Sequence, residues 1–430
     1  MNIIKNRTIY FSTLIGILTS GLTTSAIAQP GSGIRLGDQT ILVPKLTGAA
    51  NYDDNVNLRR RALSDEGGEI LEENESDTFL SYSAMLSLTR LVGNRRLTAS
   101  AWYGESTYDE YSQLNGENYG ARGEYFWTRP GGRTTFGASG GYEHAVDRSG
   151  GESADFGSNT DQEIENVSER VERDIAKASV TINQELTSDL GSSFVLGYED
   201  VAYVEEDFND RTSYDYVLEL NHQFSEKTQP YARLGLGIDD DEGFEGNAEK
   251  PFYLLGVRYT ATDKLRIDVA IGYQTYSRTR IDRDPLDEID NNDIEDSGLK
   301  YTLNIAYQAT VKSSFRINGK NGYDSVASSS STSRRENNVS LSYRHQTTRR
   351  INQSLLVSWR KDDYLTPITV GDGEIDELKE TVRYQYSFNY QTGKPWLNLF
   401  AKVSYKDGSS KFPGDSYDKT EVAVGVTARY

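Results

Sequence analysis

The chain has no cysteine among its 430 residues. That excludes disulfides, thiolate metal sites and a lipid-modified cysteine anchor. Proline is scarce, with nine residues, and histidine scarcer, with His144, His222 and His345 alone. Past residue 28 there is no run of about eighteen apolar residues, so no helix is expected to cross a membrane. No segment follows the helical period either.

What is present points to sheet. The chain carries 29 Tyr, 14 Phe, 4 Trp and 38 Gly, although its mean hydropathy is only -0.64. Aromatic, glycine-rich and polar on average suits strands that are apolar on one face. The first residues have a basic start at Lys5 and Arg7, an apolar stretch from Ile9 to Leu18 and the small-residue pattern Ala26-Ile27-Ala28. This reads as a signal peptide over residues 1–28, with the mature chain starting at Gln29; its apolar core is too short to span a bilayer.

The rest alternates with period two. Leu42 to Tyr52, Leu80 to Leu88 and Leu97 to Tyr103 place apolar residues at every second position. The pattern recurs down the chain, clearest at Leu265, Ile267, Val269, Ile271 and Tyr273, and ends with Val422, Val424, Val426, Ala428 and Tyr430. About eighteen such strands are expected, each long enough to cross a bilayer at a tilt. Short connections such as residues 92–96 and 260–264 alternate with long polar ones such as 53–76 and 276–296. That rhythm belongs to a transmembrane barrel, with short periplasmic turns and long outer loops. The expected fold is all-β: a closed antiparallel transmembrane β-barrel over residues 41–430, preceded by a periplasmic lead-in at 29–40. Nothing else in the chain is available to cover so many apolar faces, whereas lipid does. Aromatics at strand ends, among them Tyr52, Tyr103, Trp127, Tyr198, Phe224, Tyr259, Tyr273, Trp359, Tyr390 and Tyr405, fit interfacial girdles or cross-strand aromatic pairs.

The close VAVGVTARY resembles the terminal signature of outer-membrane barrels. That resemblance implies that Val426, Ala428 and Tyr430 serve recognition by the barrel assembly machinery. The opening LVPKLTGAANYDDNV, with Tyr52, Asp53, Asp54 and Asn55 at its turn, resembles the start of the β-barrel porin 2 family. Some members of that family are linked to exopolysaccharide export, which implies polysaccharide export proteins as candidate partners.

Catalysis has little to stand on. The three histidines fall in the apolar register near strand ends, and GASGG at 137–141 lies within a strand instead of a strand-to-helix turn. No enzyme activity and no cofactor are expected. The opposite register is basic: Arg122, Arg233, Arg258, Arg266, Lys300, Arg316, Arg344, Arg360, Arg383 and Lys402 form the expected lumen wall. Fewer acids share it, chiefly Glu124, Glu143, Glu185, Asp215, Glu219, Asp268 and Glu421, and the net charge of -19 resides in the long loops. One reading is a mixed, self-satisfied wet lumen; the other is a wall that favours anions, including acidic sugar polymers, with Trp102 and Trp396 stacking on sugar rings. The acidic loops read as solvated surface, or as sites that bind divalent cations and bridge to lipopolysaccharide. They repel nucleic acid.

The functions that follow are an outer-membrane channel for polysaccharide or other anionic solutes, a general diffusion porin, or a structural or adhesive surface barrel with a closed pore. All three require lipid. Far-ultraviolet circular dichroism is expected to show strand with essentially no helix, on protein that stays folded only in detergent or bilayer; a compact monomer in plain buffer contradicts the barrel.

Overall fold

A computed structural model describes residues 27–29, 33–56, 62–63, 69–70, 75–147, 171–204, 210–241, 247–278, 294–325, 333–365, 368–370, 373–375, 378–411 and 416–430. Eighteen long strands dominate: β1 (Thr40–Asp53), β2 (Asp77–Val92), β3 (Arg95–Tyr108), β4 (Gly116–Thr128), β5 (Thr134–Asp147) and β6 (Val171–Glu185). There follow β7 (Leu190–Tyr203), β8 (Arg211–His222), β9 (Thr228–Asp241), β10 (Ala248–Thr262), β11 (Leu265–Arg278) and β12 (Ile294–Thr310). The wall is completed by β13 (Ser313–Ser325), β14 (Ser333–Gln346), β15 (Ile351–Tyr364), β16 (Leu378–Gln391), β17 (Leu397–Ser410) and β18 (Tyr417–Arg429). Each pairs antiparallel with the next, and β18 pairs with β1 from Glu421↔Asp53 to Arg429↔Lys45. The sheet therefore closes, and no strand edge is left open to hydrocarbon.

Closure rests on particular residues. At the short-turn end the amide of Tyr430 donates to the carbonyl of Pro44 at 3.0 Å. At the long-loop end Lys419 bridges Asp53 at 2.8 Å and Glu421 at 3.1 Å, all on the inner face, and Asn55 donates to the carbonyl of Asp418 at 2.8 Å. The short strand Gly33–Arg35 adds to the start of β1 through Ile34↔Leu42 and Arg35↔Ile41, so part of the expected lead-in 29–40 is sheet.

Connections of two to five residues alternate with connections of six to twenty-three, as the strand bounds require. The outer face is apolar and uncovered by protein: Leu46, Leu80, Leu234, Leu255, Ile271, Leu299 and Val424 are all more than half exposed. In water such a surface is an aggregation liability, and in a bilayer it is the solvent-facing surface. Aromatics on this face meet across strands, as in Tyr253 with Tyr273 at 6.1 Å and Phe315 with Tyr343 at 4.6 Å between ring centroids. Girdle and cross-strand pair are thus one arrangement, because rings at the same height on neighbouring strands are also neighbours.

The ladder departs from regularity twice: between β10 and β11 the register shifts at Thr260 and Thr262 beside their turn, and the β12–β13 pair departs further. Between β12 and β13 the pairing runs from Thr310↔Ser313 to Thr302↔Lys320, shifts register between Tyr307 and Thr310, and stops above Thr302. There the side chain of Asn321 accepts from the amide of Tyr301 and donates to the carbonyl of Leu299, each at 2.6 Å, replacing the missing backbone partners.

The β10–β11 pair has no spare room at Gly272, where a Cβ would overlap the carbonyl of Tyr253; nothing lies within 4 Å of one at Gly48. Gly272→Ala is therefore expected to lower the yield of folded, heat-modifiable barrel in lipid vesicles, and Gly48→Ala to leave it unchanged. Leu255→Arg, placed mid-strand on the lipid face, is expected to cost about 2–4 kcal/mol in urea unfolding from vesicles.

Candidate functional site in the barrel interior

The lumen is lined by the register opposite the lipid face. All ten basic residues expected there occupy inward positions of their strands, but they do not form one open wall. Glu219 on β8 accepts from Arg233 on β9 at 2.7 Å and from Arg258 on β10 at 2.8 Å. Arg258 also reaches Asp268 on β11 at 3.3 Å, and Tyr231 donates to that carboxylate at 2.7 Å. Both guanidiniums lie over the Tyr231 ring, at 4.4 Å for Arg258 and 5.3 Å for Arg233. Two cations, two carboxylates and a ring thus make a closed set, which leaves little charge for a solute.

Tyr231 is buried with Leu254 and Ala270, and Phe252 packs on them. Alternation puts these residues on the inner face, where sequence reading expects water. They stay dry because the charged side chains above lie across them. Lys300 belongs to that cover: it sits 4.6 Å over the Phe252 ring and donates to Gln274 at 2.8 Å. Arg360 is held by Asp362 at 2.8 Å. Arg383 donates to Gln385 at 2.5 Å. Arg122 and Lys402 stand on the inner face of β4 and β17, each in contact with neighbouring groups.

The inner face carries more acid than the alternation list names. Near the long-loop end it adds Asp53, Glu199, Asp239, Asp241, Asp324, Glu336 and Asp362, each paired with a base: Lys250 with Asp239 and Lys177 with Glu199, both at 2.6 Å, are the tightest of them outside the seam. The strands run several residues further than their apolar stretches, and those extensions hold the missing acids. A net-basic lumen therefore describes the short-turn end and not the long-loop end.

Three of the ten stand apart. Arg266 on β11, Arg316 on β13 and Arg344 on β14 are exposed, and none has a carboxylate or other hydrogen-bond partner among the described residues. They lie close in height near the short turns: Arg266 opposes Ala306, Ala306 opposes Arg316, and Arg344 is diagonal to Arg316 through Ser342 and Ser314. Diagonal neighbours on one face are roughly 7–8 Å apart, so the group presents convergent donors.

Trp102 is buried on the inner wall with its ring across Gly120, where a Cβ would clash with it. Trp396, in contrast, sits in the turn between β16 and β17 beneath Lys394, 5.3 Å from its ring, so it is no lumen platform. His144 contacts Asp174 at 2.8 Å and stacks on Tyr119; His345 contacts Ser313 at 2.8 Å. Ser139 of GASGG lies within β5 and meets Ser179 at 2.7 Å, which is no nucleophile elbow. Among the described residues no group of three or more His, Asp or Glu side chains is placed to hold a metal. Most of the acidic loop at 282–296 lies outside the described residues.

With this barrel and lumen in view, the family comparison decides. Residues 29–430 match the family described as "Putative beta-barrel porin 2". The chain belongs to that family. It is an outer-membrane β-barrel of the porin type, a description of transport instead of catalysis. No curated protein matches it. Among solved structures it is similar to OccAB4 of Acinetobacter baumannii, at 10% identity and a TM-score of 0.45, covering 92% of this chain and 100% of that one. It is also similar to the outer membrane protein OpdK of Pseudomonas aeruginosa, at 11% identity and 0.47, covering 90% and 99%. A third is the FrpB iron transporter of Neisseria meningitidis, at 8% and 0.45, covering 94% and 83%. Likeness at this level says nothing about what passes through this barrel.

Glu219 neutralises two guanidiniums at once. Glu219→Gln is expected to lower stability by on the order of 2 kcal/mol, below the 3–5 kcal/mol of fully buried pairs because both arginines are a quarter to a third exposed. The midpoint of urea unfolding from vesicles measures it.

Proposed function

We propose that this barrel is a passive channel for anionic solutes, with acidic sugars as the class that fits it best. The observation that carries the reading is the group Arg266, Arg316 and Arg344. The other lumen guanidiniums of β8–β15 are neutralised by neighbouring carboxylates, whereas these three face the lumen without an acid partner among the described residues. Planar guanidinium groups suit carboxylate and phosphate oxygens, and a ring of them raises local anion concentration. The exopolysaccharide link of some family members agrees with this choice of solute. In the same reading residues 1–28 direct export, Val426, Ala428 and Tyr430 are read by the barrel assembly machinery, and the long loops face outward toward lipopolysaccharide. Polysaccharide export proteins are the partners this function calls for.

Reversal potentials under a salt gradient test the proposal. The wild-type channel is expected to prefer anions, and the triple variant Arg266→Gln, Arg316→Gln, Arg344→Gln to lose most of that preference at similar conductance. Cation selectivity in the wild type rules the reading out. Equal liposome flux of neutral and anionic sugars favours a general diffusion porin, and no flux of either favours a closed surface barrel.

A further inference from the structure

Among the described residues the other lumen ion pairs stay within one strand, join neighbours or skip one strand, as Arg258 with Glu219 and Arg278 with Asp241 do, but one pair reaches much further. Arg211 stands at the long-loop end of β8 and Asp324 at the long-loop end of β13, five strands further round the wall. Their side chains meet at 3.4 Å. Five strand spacings of about 4.8 Å each put roughly 24 Å of wall between them. Two side chains touch across that arc only if the wall between β8 and β13 folds inward.

Several contacts hold the fold. Arg211 is shared with Glu199 on β7 at 3.2 Å, and Asp324 with Arg334 on β14 at 3.6 Å. Arg334 continues to Asp362 on β15 at 3.9 Å. Tyr276 on β11 hydrogen-bonds Ser333, the first residue of β14, three strands away. Beneath this belt lies the dry cluster of Tyr231, Leu254, Ala270 and Phe252. Charged belt and apolar packing together occupy one side of the lumen. The opposite side, from β16 through β18 and on to β5, has no comparable crossing among the described residues.

We propose that Arg211 and Asp324 form a brace across the lumen: it holds the long-loop end of the β8–β13 sector folded inward, fills that side with protein at this height and confines the passage there to the side of Arg122, Arg383 and Lys402, while Arg266, Arg316 and Arg344 stay open to the passage nearer the short turns. The pair then sets the width of the channel without lining its path. It is suited to the task because a guanidinium and a carboxylate, both mostly withdrawn from water, interact far more strongly than an exposed pair, and each has a second partner that fixes its geometry. The statement about the passage rests on the channel reading above; the statement about the brace does not.

The absence of cysteine makes the test clean. Nitroxide labels are placed at Ser213→Cys on β8, which makes no side-chain contact in the belt, and at Ser325→Cys, the last residue of β13. Pulsed electron resonance of the labelled full-length protein in detergent is expected to give a distance shorter than the roughly 24 Å of intervening wall. That distance is expected to lengthen when Arg211→Gln or Asp324→Asn is added to the labelled protein. The same substitutions in unlabelled protein are expected to raise single-channel conductance on the order of twofold. A long distance in the otherwise unaltered protein, or one that neither substitution changes, overturns the brace. A distance that lengthens while conductance stays the same, or stays at zero throughout, overturns its control of the passage. Two independent substitutions guard against one that merely misfolds, and heat-modifiable migration identifies folded barrel.

Discussion

The closed backbone ladder is the constraint on which everything else in this molecule depends. In hydrocarbon an unpaired peptide group costs several kcal/mol, so a sheet that crosses the membrane has to return to its first strand. The pairing of β18 with β1 performs that return. It explains why period-two patterning persists to the end of the chain and why the seam is fastened twice. Tyr430 to Pro44 fastens the short-turn end, and the Asp53, Lys419 and Glu421 group the long-loop end. Where the ladder lapses, between β12 and β13, the Asn321 amide supplies the partners that backbone does not.

Closure turns the usual arrangement of a soluble protein inside out, and the energetics follow. Apolar side chains face outward, where lipid solvates them, and many of the ionisable groups that face the lumen are withdrawn from water, among them Glu219, Asp239, Asp241, Arg334 and Lys419. Charges there are stable when paired and hydrogen-bonded, which is why Glu219 serves two arginines and Asp324 serves Arg211 and Arg334. Aromatic rings shield the same groups, as Tyr231 and Phe252 do beneath Arg258 and Lys300. The lumen is therefore a packed polar interior along β8–β15 near the long loops, and in the proposed reading the passage at that height runs along the other side. The unsatisfied cations gather near the short turns, where strands are flanked by water and a free guanidinium costs least.

Much of this was legible from residue order. A period of two decides which side chains share a face, so the inward placement of Arg122, Arg233, Arg258 and the others could be read without coordinates. The histidines and GASGG were equally readable as strand residues. Pairing was not. Whether Arg316 has an acid partner and Arg233 does not lack one depends on height along neighbouring strands, which the register of each hairpin sets. The acids Asp239, Asp324 and Asp362 were missed because the strands continue past their apolar stretches, and Trp396 was misplaced because a turn begins just before it.

Residue alternation, the length of each alternating stretch and the rhythm of short and long connections determined by themselves that this chain is an antiparallel barrel of eighteen strands with an apolar outside. These are local properties, written within a few residues of each other. The folded wall of β8–β13, the dry cluster inside the lumen and the choice of which arginines remain free were decided by tertiary structure alone. Arg211 and Asp324 are more than a hundred residues apart. No local pattern relates them, because contacts across a lumen depend on the cross-section of the closed barrel, which exists only after every strand has found its neighbour.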